Sequence, residues 1–180
     1  MKVKGFVGIS LILALLLGTS GIAVGAELFF KDYGAAVVQE FEVPPNVPAP
    51  DSAGPTIAEK VVYQLRRYSQ KFGLFDIVVK EGTREIPAGK KVLLIKGEVK
   101  EYTRPTVRRR IFRSFIPGGE YTSTAAFAAH YQFIDNESGK VIYETDLRTT
   151  GHFEQDTVDY AMERNAEAVA KVIYRHKIGK

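Results

Sequence analysis

Between Thr56 and Phe72 apolar side chains recur at Ile57, Val61, Leu65, Tyr68 and Phe72. Spacings of four, four, three and four put them in one stripe on a helix. Thr56 with Glu59 has the form of a capping box just after Pro55, and Gly73 stands where a left-handed C-terminal cap belongs. Lys60, Arg66, Arg67 and Lys71 fall mostly off the stripe and read as a solvated face. A second helix is expected at the end of the chain, with Val158, Met162, Ala166, Val169 and Ile173 as its buried stripe, widened by Ala161 and Val172. Asp156 is its expected N-cap. Asp159 in the first turn and Arg175, His176 and Lys177 in the last match the helix dipole.

The remaining pattern is strand-like. Ala36–Val43 alternates, Phe75–Val79 is a short apolar run, and Val92–Tyr102 begins solidly apolar before alternating. Val107–Ile116 is more polar, the pattern of an edge strand or projecting hairpin, and Pro117-Gly118-Gly119 breaks it. Tyr121–Ile134 and Val141–Phe153 alternate on either side of Asp135-Asn136-Glu137-Ser138-Gly139-Lys140, a strong hairpin signal. The order strand, helix, five strands, helix predicts an α+β fold. Its antiparallel sheet would have five to six strands, with both amphipathic helices packed on one face. Five of the eight prolines lie between Pro44 and Pro55, and that stretch reads as an extended connector inside one domain spanning residues 27–180.

The N-terminus reads as an export signal over residues 1–26. Lys2 and Lys4 precede an apolar run centred on Leu11–Leu17, and Val24 and Ala26 suit cleavage before Glu27. The alternative is an uncleaved inner-membrane anchor, since Gly5–Ala26 is 22 residues without a charge and a bilayer core is about 30 Å thick. Cleavage would leave the product in the periplasm or outside the cell. It also removes two of the 25 basic residues, so 23 face 21 acidic ones and little is left of the basic bias. Nucleic acid is therefore not an expected partner. With no Cys there is no disulfide, thiolate site, Cys nucleophile or lipidated N-terminal Cys.

Candidate chemistry is sparse. The sharpest cluster is Arg104, Arg108, Arg109, Arg110 and Arg113, with Phe112 and Phe115 interleaved. Its guanidinium forks suit an anionic partner such as a lipid headgroup, a glycan or an acidic protein patch, and its bland reading is a charged edge that resists aggregation. His130 and His152 meet only if their strands pair, and no third ligand or HExxH accompanies them, so no metal site is assigned. His176 reads as a helix-end cation. Asp135 and Glu137 read as solvated turn formers, and Glu98 and Glu101 as strand carboxylates without an evident partner. No phosphate loop or GxSxG elbow is present. No cofactor and no catalytic residue is expected.

Several segments resemble a family of exported bacterial proteins, domain-of-unknown-function family 4410. They are the Val-rich strand ending Phe41-Glu42, the helix into Gly73-Leu74-Phe75-Asp76-Ile77-Val78, and Leu94-Ile95-Lys96-Gly97-Glu98-Val99. The Arg-containing strand with Gly118-Gly119 and the close Phe133-Ile134-Asp135-Asn136-Glu137-Ser138-Gly139-Lys140-Val141-Ile142-Tyr143 complete the set. The resemblance spans about residues 35–177. It implies an envelope protein of α+β fold, often a lipoprotein, and carries no catalytic residue over; this chain has no Cys to take a lipid. The expected function is a noncatalytic envelope module that binds another envelope protein or itself. A small periplasmic hydrolase and a lipid or anionic-ligand binder are the alternatives.

Overall fold

The computed structural model describes residues 27–83, 86–106, 111, 115, 125–152 and 154–179. Five strands, β1 (Ala35–Val38), β2 (Ile77–Lys80), β3 (Val92–Thr103), β4 (Ala126–Asp135) and β5 (Val141–Thr150), form one sheet in the order β2-β1-β3-β4-β5. Helices α1 (Ala53–Phe72) and α2 (Val158–Ile178) pack on one side of it and against each other. The α+β class and the two helices are as the pattern predicts. The expected Val107–Ile116 strand lies outside the described residues except for Ile111 and Phe115, which are 54% and 79% exposed.

The sheet is mixed where a purely antiparallel one was expected. β1 pairs parallel with both β2 and β3, while β3–β4 and β4–β5 are antiparallel. A helix between two neighbouring strands carries the chain back to the end where the first strand began, so β1–α1–β2 is a parallel crossover. The connection after Lys80 makes the same return before β3. β1 is central and short, so its residues are apolar or small on both faces, and alternation carries no sign of its neighbours.

Both helices begin differently from the expected caps. α1 starts at Ala53, ahead of the Thr56–Glu59 box, and Thr56 N donates to the Ser52 carbonyl. Pro55 fits this first turn because its missing N–H would have had no partner there. Gly54 allows the turn to lie against the Phe41 carbonyl, which a Cβ would approach to 2.1 Å. Glu59 reaches Lys80 at 3.6 Å, and Gly73 closes the helix in the left-handed conformation as expected. α2 is capped by Thr157, whose hydroxyl accepts from Tyr160 N at 3.2 Å. Asp156 instead accepts from Ala125 N at 2.7 Å, tying the entry to β4 to the entry of α2.

The core lies between the helices and the alternate residues of the sheet that face them. Leu93, Ile95 and Val99 of β3 and Phe127, Ala129, Tyr131 and Phe133 of β4 are buried against Ile57, Val61 and Leu65 of α1 and Ala166, Val169 and Ile173 of α2. A polar bolt crosses this core. Fully buried Asn165 accepts from the Tyr131 hydroxyl at 2.6 Å and donates to the Leu147 carbonyl at 3.0 Å and Thr149 Oγ1 at 3.2 Å. Thr149 Oγ1 in turn donates to the Ala161 carbonyl at 2.7 Å. Burial pushes the Tyr131 hydroxyl pKa far up, so it stays a donor.

Candidate interaction surface

Alternation along the long strands places a second set of residues on the face turned away from the helices. Where β1, β2 and β3 meet, that face is apolar, and Val79, Val37, Leu94 and Ile134 lie side by side in register. Along β3, β4 and β5 it becomes charged. One row is Lys96, Gln132 and Glu144, the next Glu98, His130 and Asp146, and a third Glu101, Ala128 and Arg148. A bulge between Val99 and Glu101 sets Lys100 aside and keeps Glu101 on this face.

The second and third rows are bonded across the strands. Arg148 straddles Ala128 and donates to both oxygens of Glu101, Nε to Oε2 at 2.7 Å and Nη2 to Oε1 at 3.2 Å. The carboxylate raises the pKa of the Arg148 guanidinium further, chiefly through that hydrogen bond. His130 Nδ1 lies 2.9 Å from Asp146 Oδ1, and its Nε2 3.8 Å from Glu144. Glu98 pairs with Lys100 at 2.6 Å. Glu98 and Glu101, read from sequence as partnerless, are therefore both paired. The side chains stay in water, with Glu144 61%, Asp146 79% and Arg148 59% exposed.

At each edge of the sheet side chains take some of the outward carbonyls. At β2, Arg66 Nε donates to the Val78 carbonyl at 2.9 Å, so this arginine is more than a solvated charge. At β5, Asn165 takes the Leu147 carbonyl and Arg164 the Thr150 carbonyl at 3.0 Å. Bonds of this kind blunt an edge that would otherwise template another strand.

The residues singled out in the sequence do not converge. Arg104 is exposed, its guanidinium 5.6 Å from the centre of the Tyr102 ring, and Arg108, Arg109, Arg110 and Arg113 lie outside the described residues. His152 follows the end of β5, six residues beyond the partner of His130, a separation of about 20 Å along a strand. It interacts with Glu154 N at 3.4 Å. Among the described residues no group of three or more His, Asp or Glu is arranged to hold a metal ion. An open groove of about 540 Å³ beside β2 is lined by Arg66, Ser69, Phe75, Asp76, Val79 and Thr83, and its carboxylate is tied to Lys90.

Two features escaped the sequence reading. Asp135 is 7% exposed, where a solvated turn residue was expected. Its Oδ1 accepts from Glu137 N, Ser138 N and Ser138 Oγ, and its Oδ2 accepts from the Tyr33 hydroxyl at 2.7 Å and lies 3.2 Å from Lys91. The Ser138 N–H, followed by Tyr33, holds its pKa far below the ordinary carboxylate range. The second feature is the segment before β1, which sequence alone left unread. Phe30 N donates to the His176 carbonyl, and Lys177 Nζ donates to the carbonyls of Phe30, Lys31 and Tyr33 at 3.1, 3.2 and 2.6 Å. Desolvation lowers the Lys177 pKa, with Asp32 and Asp76 opposing it. His176, expected as a plain helix-end cation, packs among Phe29, Phe30 and Tyr143 with its Nδ1 2.9 Å from the Glu27 carbonyl oxygen. The adjacent aromatic pair Phe29-Phe30 was the available signal.

No protein-family model and no curated protein matches the sequence. Among solved structures the chain has the fold of the PelC dodecamer from Paraburkholderia phytofirmans. One crystal form aligns at 11% identity and a TM-score of 0.52, covering 82% of this chain and 88% of that one. Another aligns at 14% identity and 0.50, covering 81% and 89%. A Xanthomonas campestris protein of family DUF330 aligns at 11% identity and 0.48, covering 83% and 88%. No helix among the described residues is long and apolar enough to cross a membrane.

Proposed function

We propose that the chain is an exported, noncatalytic binding module of the bacterial envelope, akin to family 4410 and released after cleavage at Ala26. It works by assembling with copies of itself or with another envelope protein. The observation that carries this reading is the open face of β3, β4 and β5. Three long strands there hold their charged side chains in ordered rows, in water, while Arg66, Asn165 and Arg164 take single carbonyls at the two sheet edges. Ordered polar groups on a rigid sheet suit recognition, since little side-chain freedom is left to lose on binding. Likeness of fold to a protein that forms a dodecamer supports self-association as the first partner to test. The segment after Arg104 supplies a second contact, in which Arg104, Arg108, Arg109, Arg110 and Arg113 meet an anionic partner.

In-cell cross-linking of the C-terminally tagged protein, with light scattering on the purified chain, tests this reading. A defined self-ladder or one recurrent envelope partner is expected. Arg148→Glu with Glu144→Arg should abolish it without unfolding the chain, and Arg108, Arg110 and Arg113 changed to Ser should weaken the anionic contact. A monomer with no partner above background would overturn the proposal.

A further inference from the structure

Four of the large apolar side chains that stay exposed gather at one end of the molecule: Leu28 at 40%, Phe72 at 38%, Val141 at 40% and Ile178 at 38%. This is the end where α1 and α2 finish and β3 and β5 begin. Leu28 lies against Gly179, whose Cβ, if it had one, would be 3.3 Å from Leu28 Cδ2. Half-buried rings stand behind the exposed residues. Tyr174 is 4.7 Å from Phe72, and Phe29 is 5.3 Å from Tyr143. Lys71 sits over the Phe72 ring at 5.0 Å, and Lys31, Lys140 and Arg175 are exposed with no carboxylate partner among the described residues. Glu27, Asp32 and Glu137 share this end, so its net charge is small. Apolar side chains backed by tyrosines and rimmed by lysines form the amphipathic mixture that settles at the headgroup boundary of a bilayer.

Where the chain enters gives the occupant. The 22 uncharged residues Gly5–Ala26 end immediately before Glu27, whose carbonyl is held by His176, and by Phe30 the backbone is fixed to α2. No spacer separates the apolar leader from the folded end. Before the cut at Ala26, while the leader still occupies a bilayer, that end faces the bilayer surface within a few residues, at about 3.3 Å per extended residue. We infer that the end formed by Leu28, Phe72, Val141 and Ile178 is a docking surface for a phospholipid bilayer, set at the opposite end of the domain from Arg104. It is independent of the charged sheet face and leaves that face free for a protein partner.

The chain has no Trp, so a single introduced indole reports its own surroundings whether or not the leader is retained. Ile178→Trp and, at the charged face, Asp146→Trp are compared in the full chain on adding vesicles of phosphatidylethanolamine and phosphatidylglycerol carrying brominated acyl chains. Emission from the Ile178→Trp protein should fall at least twofold and shift to the blue, while the Asp146→Trp protein stays unchanged. Val141→Trp repeats the test should the first variant melt early. Equal responses at the two sites, or none at position 178 or 141, would overturn the inference. So would a blue shift that depends on protein concentration without vesicles, which would make this end a contact between copies. A self-ladder that persists in Arg148→Glu/Glu144→Arg, with quenching at 178 intact, would sink the sheet-face contact alone.

Discussion

The two sides of β4 carry the same alternation but hold their residues in different ways. On the helix side Phe127, Ala129, Tyr131 and Phe133 are fully or almost fully buried. Phe133 lies 5.1 Å from Phe30 and 5.7 Å from Tyr143, and Phe41 meets Tyr131 edge-on at 5.1 Å. On the other side Ala128, His130 and Gln132 are half-buried, and the charged groups around them meet in pairs open to water. Shape decides the first side, because each ring excludes water only where its neighbours fit. Charge order decides the second, where water screens each pair and single contacts contribute little to folding. The first side sets stability and the second is available for recognition.

That contrast can be broken most directly at Phe133. Phe133→Ala should cost about 3–5 kcal/mol in urea unfolding, whereas Gln132→Ala, one residue away, should stay within about 0.5 kcal/mol. Similar losses at both would erase the distinction. Asn165→Ala should cost roughly 2–3 kcal/mol, since it leaves the buried Tyr131 hydroxyl and the Leu147 carbonyl without a partner. Gly97→Ala sharpens the same point from a residue with no side chain: a Cβ would lie 2.1 Å from the Phe41 ring, so the ring must move. A loss of about 1–3 kcal/mol is expected, and unfolding with an unchanged midpoint would show that Phe41 yields freely.

Asp135 adds a dependence on pH. Its folded pKa is depressed below the ordinary 3.8, so the unfolded chain binds the proton more readily. The stabilisation is fully present above that ordinary value and is lost progressively as pH falls below it towards the folded pKa. Melting temperature should therefore decline below about pH 4, and Asp135→Asn should flatten the decline while lowering the plateau. An acid limb identical in the variant would remove Asp135 from this account. The smallest effect belongs to the outward face, where Arg148→Ala should change stability by only about 0.2–1 kcal/mol.

Both helices were legible from stripes such as Ile57, Val61 and Leu65, because a period of 3.6 records one buried face. The Asp135–Lys140 hairpin was legible from its turn residues, and Gly73 from its place after the α1 stripe. The parallel pairing of β1 was not, since alternation reports which face a residue takes and not which strand lies beside it. The partners of Glu101 and Asp135 were hidden for another reason: Arg148 and Tyr33 are 47 and 102 residues away in sequence. Spacing along the chain holds no record of such meetings.

By itself, then, the sequence determined the α+β class, the two amphipathic helices, and which alternate residues of the long strands share a face. These follow from local periodicity and turn chemistry, which act within a few residues. Only the tertiary structure decided the mixed strand order, the charged rows that join Glu101 to Arg148 and His130 to Asp146, and the clamp of Lys177 on the segment before β1. Each of these depends on register and on closing a long loop, and their energies arise only once distant segments have been brought together.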